Sequence, residues 1–383
     1  MADGSAGKEG IALTERQRIA WLRLIRSDNV GPATFRDLIN HFGTAEAALE
    51  MLPELSRRGG STRAIRVASR ADAERELEIA ARNNAAFVGI GEPDYPPLLR
   101  RIDGAPPLLA IKGNAGIATE PAVGMVGSRN ASISGAKFAA MLARAVGAAG
   151  YAVVSGLARG IDTAVHRASL ETGTIAAMAG GLDQPYPPEN AGLLEEITAG
   201  NGLAVSEMPF GWEPRARDFP RRNRLIAGIS YGVVVVEAAS RSGSLITARN
   251  AVDFGRLVFA VPGSPLDPRC HGTNALLKDG AIVTTDAEDI LEALRPMREP
   301  DLFSHGIDAG EPSDDVPAAM RLPPDDADRD RIASALGPTP VEIDDIIRHT
   351  GLAPATVYLV LLELDLAGRL HRYPAGLVAL APD

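Results

Sequence analysis

The stretch "AVGMVGSRNASISG", residues 122–135, joins a short apolar run to a turn rich in Gly and Ser and then to the start of a helical pattern. This alternation continues to about residue 295, with further apolar runs in "YAVVSGL", "TIAAMAGG", "LAVSEM", "YGVVVVEAA", "RLVFAVPG" and "AIVTT". Alternating strands and helices are typical of an α/β domain with a mostly parallel sheet, and almost continuous apolar runs indicate strands covered on both faces. We therefore predict such a domain for the middle of the chain.

The N-terminal flank has a helical pattern. Residues 14–85 contain "TERQRIAWLRLI", "VGPATFRDLINHFGTAEAAL" and a charged amphipathic run, which predict an all-helical domain, and residues 1–13 predict a disordered N-terminus. Within this domain, "NVGPATFRDLINHFG" is similar to a helix-hairpin-helix, whose Gly-containing turn can hold a DNA phosphate at a helix start. The alternative is a plain helical bundle in which Gly31 and Pro32 only form a turn.

The C-terminal flank has the pattern of a winged helix. Residues 329–383 predict three helices, near 329–336, 341–349 and 354–367, followed by a two-stranded hairpin. The segment at the recognition-helix position, "APATVYLVLLELDLAG", offers almost no basic or amide side chains to read base edges, which favours protein contact or packing over DNA readout. Residues 298–328 are rich in Pro and Asp and predict an exposed linker.

The formal net charge of −10 is concentrated at one end of the chain, because residues 298–383 hold 7 basic and 16 acidic residues. The middle of the chain is nearly balanced, so local clusters decide which partners its surface attracts. The single cysteine, Cys270, excludes an internal disulfide. Together with the lack of an apolar signal sequence or of a run of about 20 apolar residues, it predicts a cytoplasmic protein that does not enter a membrane.

Ligands of open parallel sheets bind beyond the carboxyl ends of the strands, so the residues after each strand are the candidate site. Gly, Ser and Arg recur there, in "GSRNASISG" (127–135), "SGLARGID" (155–162) and "SRSGSLITA" (240–248). In the first loop, Arg129 supplies a guanidinium fork for phosphate and Ser132 a hydroxyl, although Gly and Ser in any single loop can simply cap a helix. Neither GxGxxG nor the phosphate loop of ATP-binding proteins occurs, so no cofactor is predicted.

Residues 212–224 place arginines and aromatic side chains together, between the fourth apolar run and a helix expected to begin near Phe219. The arginines are Arg215, Arg217, Arg221, Arg222 and Arg224, and the aromatic residues are Trp212 and Phe219. A groove for single-stranded nucleic acid requires this combination, because guanidinium groups bind phosphate and aromatic faces stack on bases. The alternative is that the arginines form structural ion pairs with Asp218, Glu207 or Glu237.

Six segments occur in an order and spacing that resembles the DNA-processing protein A family, also called DprA or Smf; they are "GSRNASISG", "SGLARGID", "FPRRNRLIAG", "SGSLITA", "VPG" and "GTNALLKDGA". The resemblance spans most of residues 120–285. It implies an extended Rossmann-like domain, placed at residues 86–297, that binds single-stranded DNA without sequence preference, protects incoming DNA and forms a homodimer. It also implies loading of the RecA recombinase in natural transformation, and flanking helical and winged-helix domains.

By position, the resemblance implies DNA-contacting roles for Gly127, Ser128, Arg129, Gly156, Arg159, Phe219, Arg221, Arg222, Asn223, Arg224, Gly243 and Ser244. Ser132 and Arg217 join the predicted DNA-binding residues because of their own chemistry and position. Ser134 departs from the family pattern, which commonly has Tyr before the Gly, and this leaves open one stacking or hydroxyl contact.

Two other protein classes are compatible with parts of the sequence. A nucleotide hydrolase of the related Rossmann-like type, acting on nucleoside monophosphates, would use Glu207 and Glu237 as acid and base, with Asp162 as a further candidate. A winged-helix transcription regulator would need base-reading side chains in residues 354–367. The scattered histidines and the lack of metal-ligand spacing favour a protein without a catalytic or metal site.

Overall fold

The computed structural model describes residues 12–298, 324–373 and 376–381. Their internal contacts divide them into two compact units. The larger unit holds residues 12–13 and 75–298, and the smaller holds residues 14–74, 324–373 and 376–381. The predicted disordered residues 1–11 and linker residues 299–323 lie outside the described residues.

The N-terminal segment forms four helices, α1 (Glu15–Ile25), α2 (Pro32–Phe42), α3 (Ala45–Arg58) and α4 (Arg70–Arg82). Capping residues set where they begin. The Thr14 side chain accepts the Gln17 amide in a capping box, and the Thr44 side chain accepts an amide at the start of α3. α2 begins at Pro32, whose fixed φ suits a first helical position. The predicted helical N-terminal domain is thereby confirmed.

Nine strands of the described chain form one sheet in the larger unit. They are β1 (Ala85–Gly89), β2 (Leu108–Gly113), β3 (Ala122–Val126), β4 (Ala152–Ser155), β5 (Thr174–Ala177), β6 (Gly202–Ser206), β7 (Gly232–Val235), β8 (Leu257–Ala260) and β9 (Ile282–Val283). Their order is β1-β2-β6-β5-β4-β3-β7-β8-β9. Among these strands, β1 pairs with β2 and β2 pairs with β6 in antiparallel fashion, and all pairs from β6 to β9 are parallel. The predicted mostly parallel sheet is confirmed.

The direction of strand addition reverses at β3. The strands β4, β5 and β6 extend the sheet on one side of β3, and β7, β8 and β9 extend it on the other. In register, Val123 of β3 lies opposite Val153 of β4 and Gly232 of β7. Connections therefore leave β3 and β7 in opposite directions, which opens a crevice beyond their carboxyl ends, the usual ligand site of such sheets.

Seven helices of the larger unit follow these strands; they are α5 (Ile133–Ala148), α6 (Ile161–Ala168), α7 (Ala191–Ala199), α8 (Asp218–Ile229), α9 (Ser244–Asp253), α10 (His271–Lys278) and α11 (Glu288–Arg298). Apolar side chains fill both faces of the sheet. Val126 packs in one layer with Leu225 of α8, and its neighbour Met125 packs in the other with Leu142 of α5. Successive strand side chains point to opposite faces, so a strand buried on both faces must be apolar throughout.

The smaller unit combines α1 to α3 with the C-terminal elements α12 (Asp326–Ala335), β10 (Val341–Glu342), α13 (Ile343–Thr350), α14 (Pro354–Leu366), β11 (Leu370–Arg372) and β12 (Leu377–Leu380). Three helices with an antiparallel sheet of order β10-β12-β11 confirm the predicted winged helix. The sequence did not predict β10, because two residues carry no period. α12 begins inside the predicted linker, since Asp325 caps it by accepting the Asp328 amide.

Helix α14 lies between two apolar cores of the smaller unit. Leu362 and Leu366 pack with α1 to α3, and Val357 and Leu361 pack with α12, α13 and the hairpin. Burial on both sides accounts for a sequence that is apolar all round. None of the described helices is long and apolar enough to cross a membrane.

Candidate nucleic-acid interface

An open cavity of about 820 Å³ lies at the carboxyl edge of the large sheet, at the crevice between β3 and β7. Loops that are distant in sequence line it: the turn after β3, the segments after β4, β5 and β6, and the segment between β7 and α9. Of the predicted DNA-binding residues, the lining includes Gly127, Ser128, Arg129, Phe219, Arg222, Asn223, Gly243 and Ser244. The edge that the sequence indicated is therefore the edge that carries the cavity.

The turn after β3 can approach the start of α6 only because two residues lack side chains. A Cβ on Gly127 would lie 2.6 Å from Ile161, and a Cβ on Gly160 would lie 2.2 Å from the Ser128 carbonyl oxygen. Gly160 also has φ +75°, which glycine adopts at little cost. This close packing holds Arg129, an exposed residue, at the rim of the cavity.

Aromatic side chains meet the arginines at one wall of the cavity. The Arg129 guanidinium lies over the Phe219 ring at 5.0 Å from its centroid, and the Tyr186 ring lies at 5.3 Å from the same ring. Tyr186 is 43% exposed and so presents a free aromatic edge or face to solvent. A cation on an aromatic face, beside a second ring, provides contacts for a phosphate and for a base in one place.

Arg222 lies inside the protein, beneath this wall. Its Nη1 donates to the carbonyl oxygens of Gly156 and Ala177, the latter at 2.8 Å, and its Nε donates to Asn223 at 3.1 Å. Burial lowers the pKa of Arg222 to about 10, while the charge of Asp162 opposes that shift. The guanidinium is thus charged at neutral pH and ties α8 to the ends of β4 and β5.

Arg221 and Arg224 share one buried carboxylate. The Arg221 Nε donates to Glu207 at 2.9 Å, and Arg224 donates to the other Glu207 oxygen and to the Gly104 carbonyl. The Arg221 side chain is 45% exposed, whereas that of Arg224 is 16% exposed. Arg221, Arg222 and Arg224 lie inside α8, which begins at Asp218, one residue before the predicted start, and not in the connection that precedes the helix. Helical spacing directs them into different surroundings.

Asn223 and the residues after β4 and β7 pack together and support the walls of the cavity. The Asn223 amide donates to the Gly243 carbonyl at 3.1 Å, which fixes the start of α9 against α8. A Cβ on Gly156 would lie 2.4 Å from Arg222, so this glycine makes room for the guanidinium. Ser244 begins α9, and its hydroxyl lies 2.7 Å from that of Ser242.

Other predicted residues lie outside the cavity lining. Arg159 is exposed and has its Nη1 3.6 Å from Glu189, and Arg217 is exposed at the cap position of α8. Ser132 caps α5: its hydroxyl accepts the Gly135 amide and donates to Glu237 at 2.5 Å. Ser134, where the family pattern commonly has Tyr, has its hydroxyl 3.0 Å from that of Ser132.

The three carboxylates considered as catalytic groups hold local structure. Glu207 binds two arginines, Glu237 accepts the amide and hydroxyl of Ser132, and Asp162 accepts the amides of Gly156 and Ala158. Burial raises the pKa of Asp162, and the nearby Arg222 charge opposes this. No group of three or more His, Cys, Asp or Glu side chains with metal-binding geometry occurs among the described residues.

Two residues of the cavity were missed by sequence reasoning. Tyr186 stands in "DQPYPPEN" after β5, and Arg241 stands in "SRSGSLITA" after β7; both line the cavity, and Arg241 is exposed. A search for aromatic and basic residues after every strand would have found both. Trp212, in contrast, does not line the cavity; its indole donates to Asp218 and the Arg215 guanidinium lies 4.8 Å from its ring.

We expect His166 to stay neutral at physiological pH. Its Nε2 accepts the Leu157 amide at 3.3 Å, its Nδ1 lies 2.7 Å from the Thr174 hydroxyl, and burial lowers its pKa from 6.5 to about 3. In the unfolded chain the ring takes up a proton near pH 6.5, so this group makes stability fall as the pH decreases from about 6.5 towards 3.

An NMR titration of the folded chain checks this expectation. The His166 ring resonances should remain unchanged between pH 8 and pH 5, whereas the same ring in denaturant should titrate near its ordinary value. A midpoint between pH 5 and pH 8 in the folded chain would contradict the buried, neutral state.

A mostly parallel sheet whose crevice is lined by Gly, Ser, Arg and aromatic residues defines a Rossmann-like protein with a candidate anion-binding site. The family model for DNA recombination-mediator protein A matches residues 86–295, and models for a DprA-like N-terminal HHH domain and a DprA winged helix domain match residues 15–79 and 316–376. The chain therefore belongs to the DprA/Smf family of DNA-processing proteins.

Individual relatives agree with this assignment. Protein Smf of Synechocystis is 31% identical, over 94% of this chain and 98% of its own length. The DNA processing protein DprA of Streptococcus pneumoniae is 45% identical over 51% of this chain and 70% of its own length. An X-ray structure of DprA from the same organism superposes with a TM-score of 0.62 at 33% identity, and the match covers 74% of this chain and 98% of that one. A structure of DNA processing protein A from Helicobacter pylori, described by its single-stranded DNA binding mode, gives a TM-score of 0.51 at 27% identity over 56% of this chain and 96% of that one.

Proposed function

We propose that this chain binds single-stranded DNA without sequence preference, protects incoming DNA and loads the RecA recombinase onto it in natural transformation. The observation that carries the proposal is the stacking of Arg129 on Phe219 beside Tyr186, at the rim of the cavity between β3 and β7. Guanidinium groups that bind phosphate, beside aromatic faces that stack on bases, suit a single strand of any sequence, since every base has a face that can stack. The H. pylori relative, whose structure concerns single-stranded DNA binding, supports the same ligand here.

The predicted DNA-binding residues divide into three groups under this proposal. Arg129, Phe219, Ser128 and the Gly243–Ser244 turn would contact the strand directly, because they line the open cavity. Arg222, Asn223, Arg224 and Gly156 would act by holding the cavity walls, because their polar groups are bonded inside the protein. Arg159, Arg217 and Arg221 are exposed and would extend the positive surface beyond the cavity.

We further propose that the chain acts as a binding protein in the cytoplasm, without a catalytic or metal site, and as a homodimer through its Rossmann-like domain. The carboxylates of Glu207, Glu237 and Asp162 all accept hydrogen bonds from neighbouring protein groups. This supports a protein without a catalytic site, because a general acid or base must be free to reach a substrate. A dimer would place two cavities on one strand and raise the apparent affinity through avidity.

A binding assay with labelled oligonucleotides tests the proposal. We expect tighter binding to single strands than to duplex, similar affinity for oligo-dT and mixed sequence, and a log–log salt slope that gains about 0.7 for each phosphate contact. Arg144→Ala is the matched control, because Arg144 is exposed but lies outside the cavity lining.

Two outcomes would count against the proposal. Equal affinity for duplex and single strand would argue against a stacking groove, because paired bases do not expose their faces. Release of free base from nucleoside monophosphates by the same preparation would favour the hydrolase.

A further inference from the structure

The N-terminal helices and the winged helix share one buried helix. Leu362 and Leu366 of α14 belong to the same apolar core as Leu24 of α1, Leu38 of α2 and Leu52 of α3. All five side chains are almost completely buried. The side of α14 that carries Leu362 and Leu366 is therefore covered by residues from the other end of the chain.

A polar cluster joins the same helices at the start of α2. The Thr34 hydroxyl donates to Asp365 at 2.8 Å, and Arg372 Nε donates to the same Asp365 oxygen at 2.8 Å. A second nitrogen of Arg372 lies 2.9 Å from Asp37. Thr34 occupies the third position of α2, so the Asp365 carboxylate stands where the positive end of the helix dipole attracts an anion.

Backbone carbonyls at the ends of α3 and α14 complete the contact. The Asn29 and Ser56 side chains both donate to the Leu366 carbonyl, at 2.9 and 3.3 Å, and Arg369 donates to the Gly59 carbonyl at 3.0 Å. The backbones also touch, since a Cβ on Gly59 would lie 1.9 Å from the Glu363 carbonyl oxygen. Each of these groups has its partner in the other domain.

We infer that the winged-helix domain is the intramolecular partner of the N-terminal helical domain, and that Asp365 occupies the position at α2 where a helix-hairpin-helix would hold a DNA phosphate. Two features of α14 fit this arrangement. Its sequence has almost no side chains that read bases, and its apolar residues pack against both domains. DNA binding is then left to the Rossmann-like unit. The terminal domains form one module whose folding requires both ends of the chain.

Gly59→Ala in the full chain acts as a wedge at this contact. Gly59 has φ −68° and ψ −3°, which alanine adopts freely, and the three atoms nearest to the added methyl group belong to Glu363 and Ala367 of the other domain. Overpacking of this kind should accelerate hydrogen exchange of the α2 and α14 amides roughly tenfold or more, with β3 to β7 unchanged. Gly337→Ala is the control, because a Cβ at that position meets open space.

Thr34→Val provides a second variant if Gly59→Ala does not accumulate as folded protein. It keeps the shape of the side chain and removes only the hydroxyl that donates to Asp365. It should give a smaller acceleration in the same two helices. If neither variant changes the exchange of α14, or if exchange rises in α2 alone, the domains are not partners in solution and the inference fails.

Ala33→Asp tests the displacement of phosphate from α2. A carboxylate in the first turn favours the helix but would repel a DNA phosphate bound there. We expect affinity for oligo-dT within about twofold of wild type, because the Asp365 carboxylate already lies at this helix start and leaves no place for a phosphate. A loss of oligo-dT affinity as large as that of Arg129→Ala would show that α2 binds DNA. It would overturn the inference that Asp365 occupies the phosphate position. If the wild-type chain binds no DNA, the proposed function fails, while the exchange experiment still decides the domain contact.

Discussion

Arg222→Ala should lower the free energy of unfolding by several kcal/mol, because each buried carbonyl oxygen that loses a hydrogen-bond donor costs about 1–3 kcal/mol. The substitution removes the donor that Arg222 supplies to the Gly156 and Ala177 carbonyl oxygens, and it removes a positive charge that stabilises the buried Asp162 carboxylate. It also opens a space between α8 and the ends of β4 and β5. Arg222 was expected from the sequence to contact DNA, but its largest measurable effect should be on folding.

Urea unfolding followed by circular dichroism measures this effect. Arg221→Ala is the matched control, because it lies one residue earlier on the same helix with its side chain 45% exposed. Its partner Glu207 is buried but keeps Arg224 as a second partner, so the control should lose less stability than Arg222→Ala. If both variants lose the same stability, the buried position of Arg222 is wrong.

Phe219→Ala should weaken binding of oligo-dT by about 1–3 kcal/mol, which is the range measured for one lost stacking contact. Arg129→Ala should weaken oligo-dT and mixed sequence equally, because phosphate contacts carry no base identity, and should reduce the salt slope by about 0.7. Since Arg129 lies over the Phe219 ring, the two losses should not add. The double variant should therefore lose less than the sum, by about 0.5 kcal/mol or more.

Fluorescence anisotropy at several salt concentrations separates these contributions, with thermal unfolding of each variant as the check on folding. Both side chains reach solvent at the cavity rim, so neither substitution should cost much stability. Arg144→Ala should leave both affinity and slope unchanged. Unchanged DNA affinity in folded Phe219→Ala and Arg129→Ala would remove the support for a DNA site in this cavity.

Much of the architecture follows from local sequence. Short β-branched runs such as residues 232–235 favour strands buried on both faces, and the Gly and Ser residues that follow such runs favour turns at one edge. The position of the candidate site at that edge was predictable for the same reason, because parallel strands bring all their carboxyl ends together. The winged helix and the helical N-terminal domain were likewise evident from their periods.

The division of labour among the arginines depended on tertiary structure. Arg221, Arg222 and Arg224 have the same charge and lie within four positions of one helix, and the sequence gives no reason to treat them differently. Consecutive residues of a helix point in directions about 100° apart, so one guanidinium enters the core while its neighbour remains exposed. Whether a guanidinium is buried depends on what packs over it, and for Arg222 that is the end of β4 and β5.

Contacts between distant segments were the other feature that only the fold decided. Tyr186 reaches Phe219 from a connection after β5, and Thr34 reaches Asp365 across 331 positions of the chain. Periodicity and composition describe a segment and its immediate neighbours, so they determined that α14 must be buried but not what buries it. That choice belongs to the shape and polarity of the surfaces that meet, which exist only once each domain has folded.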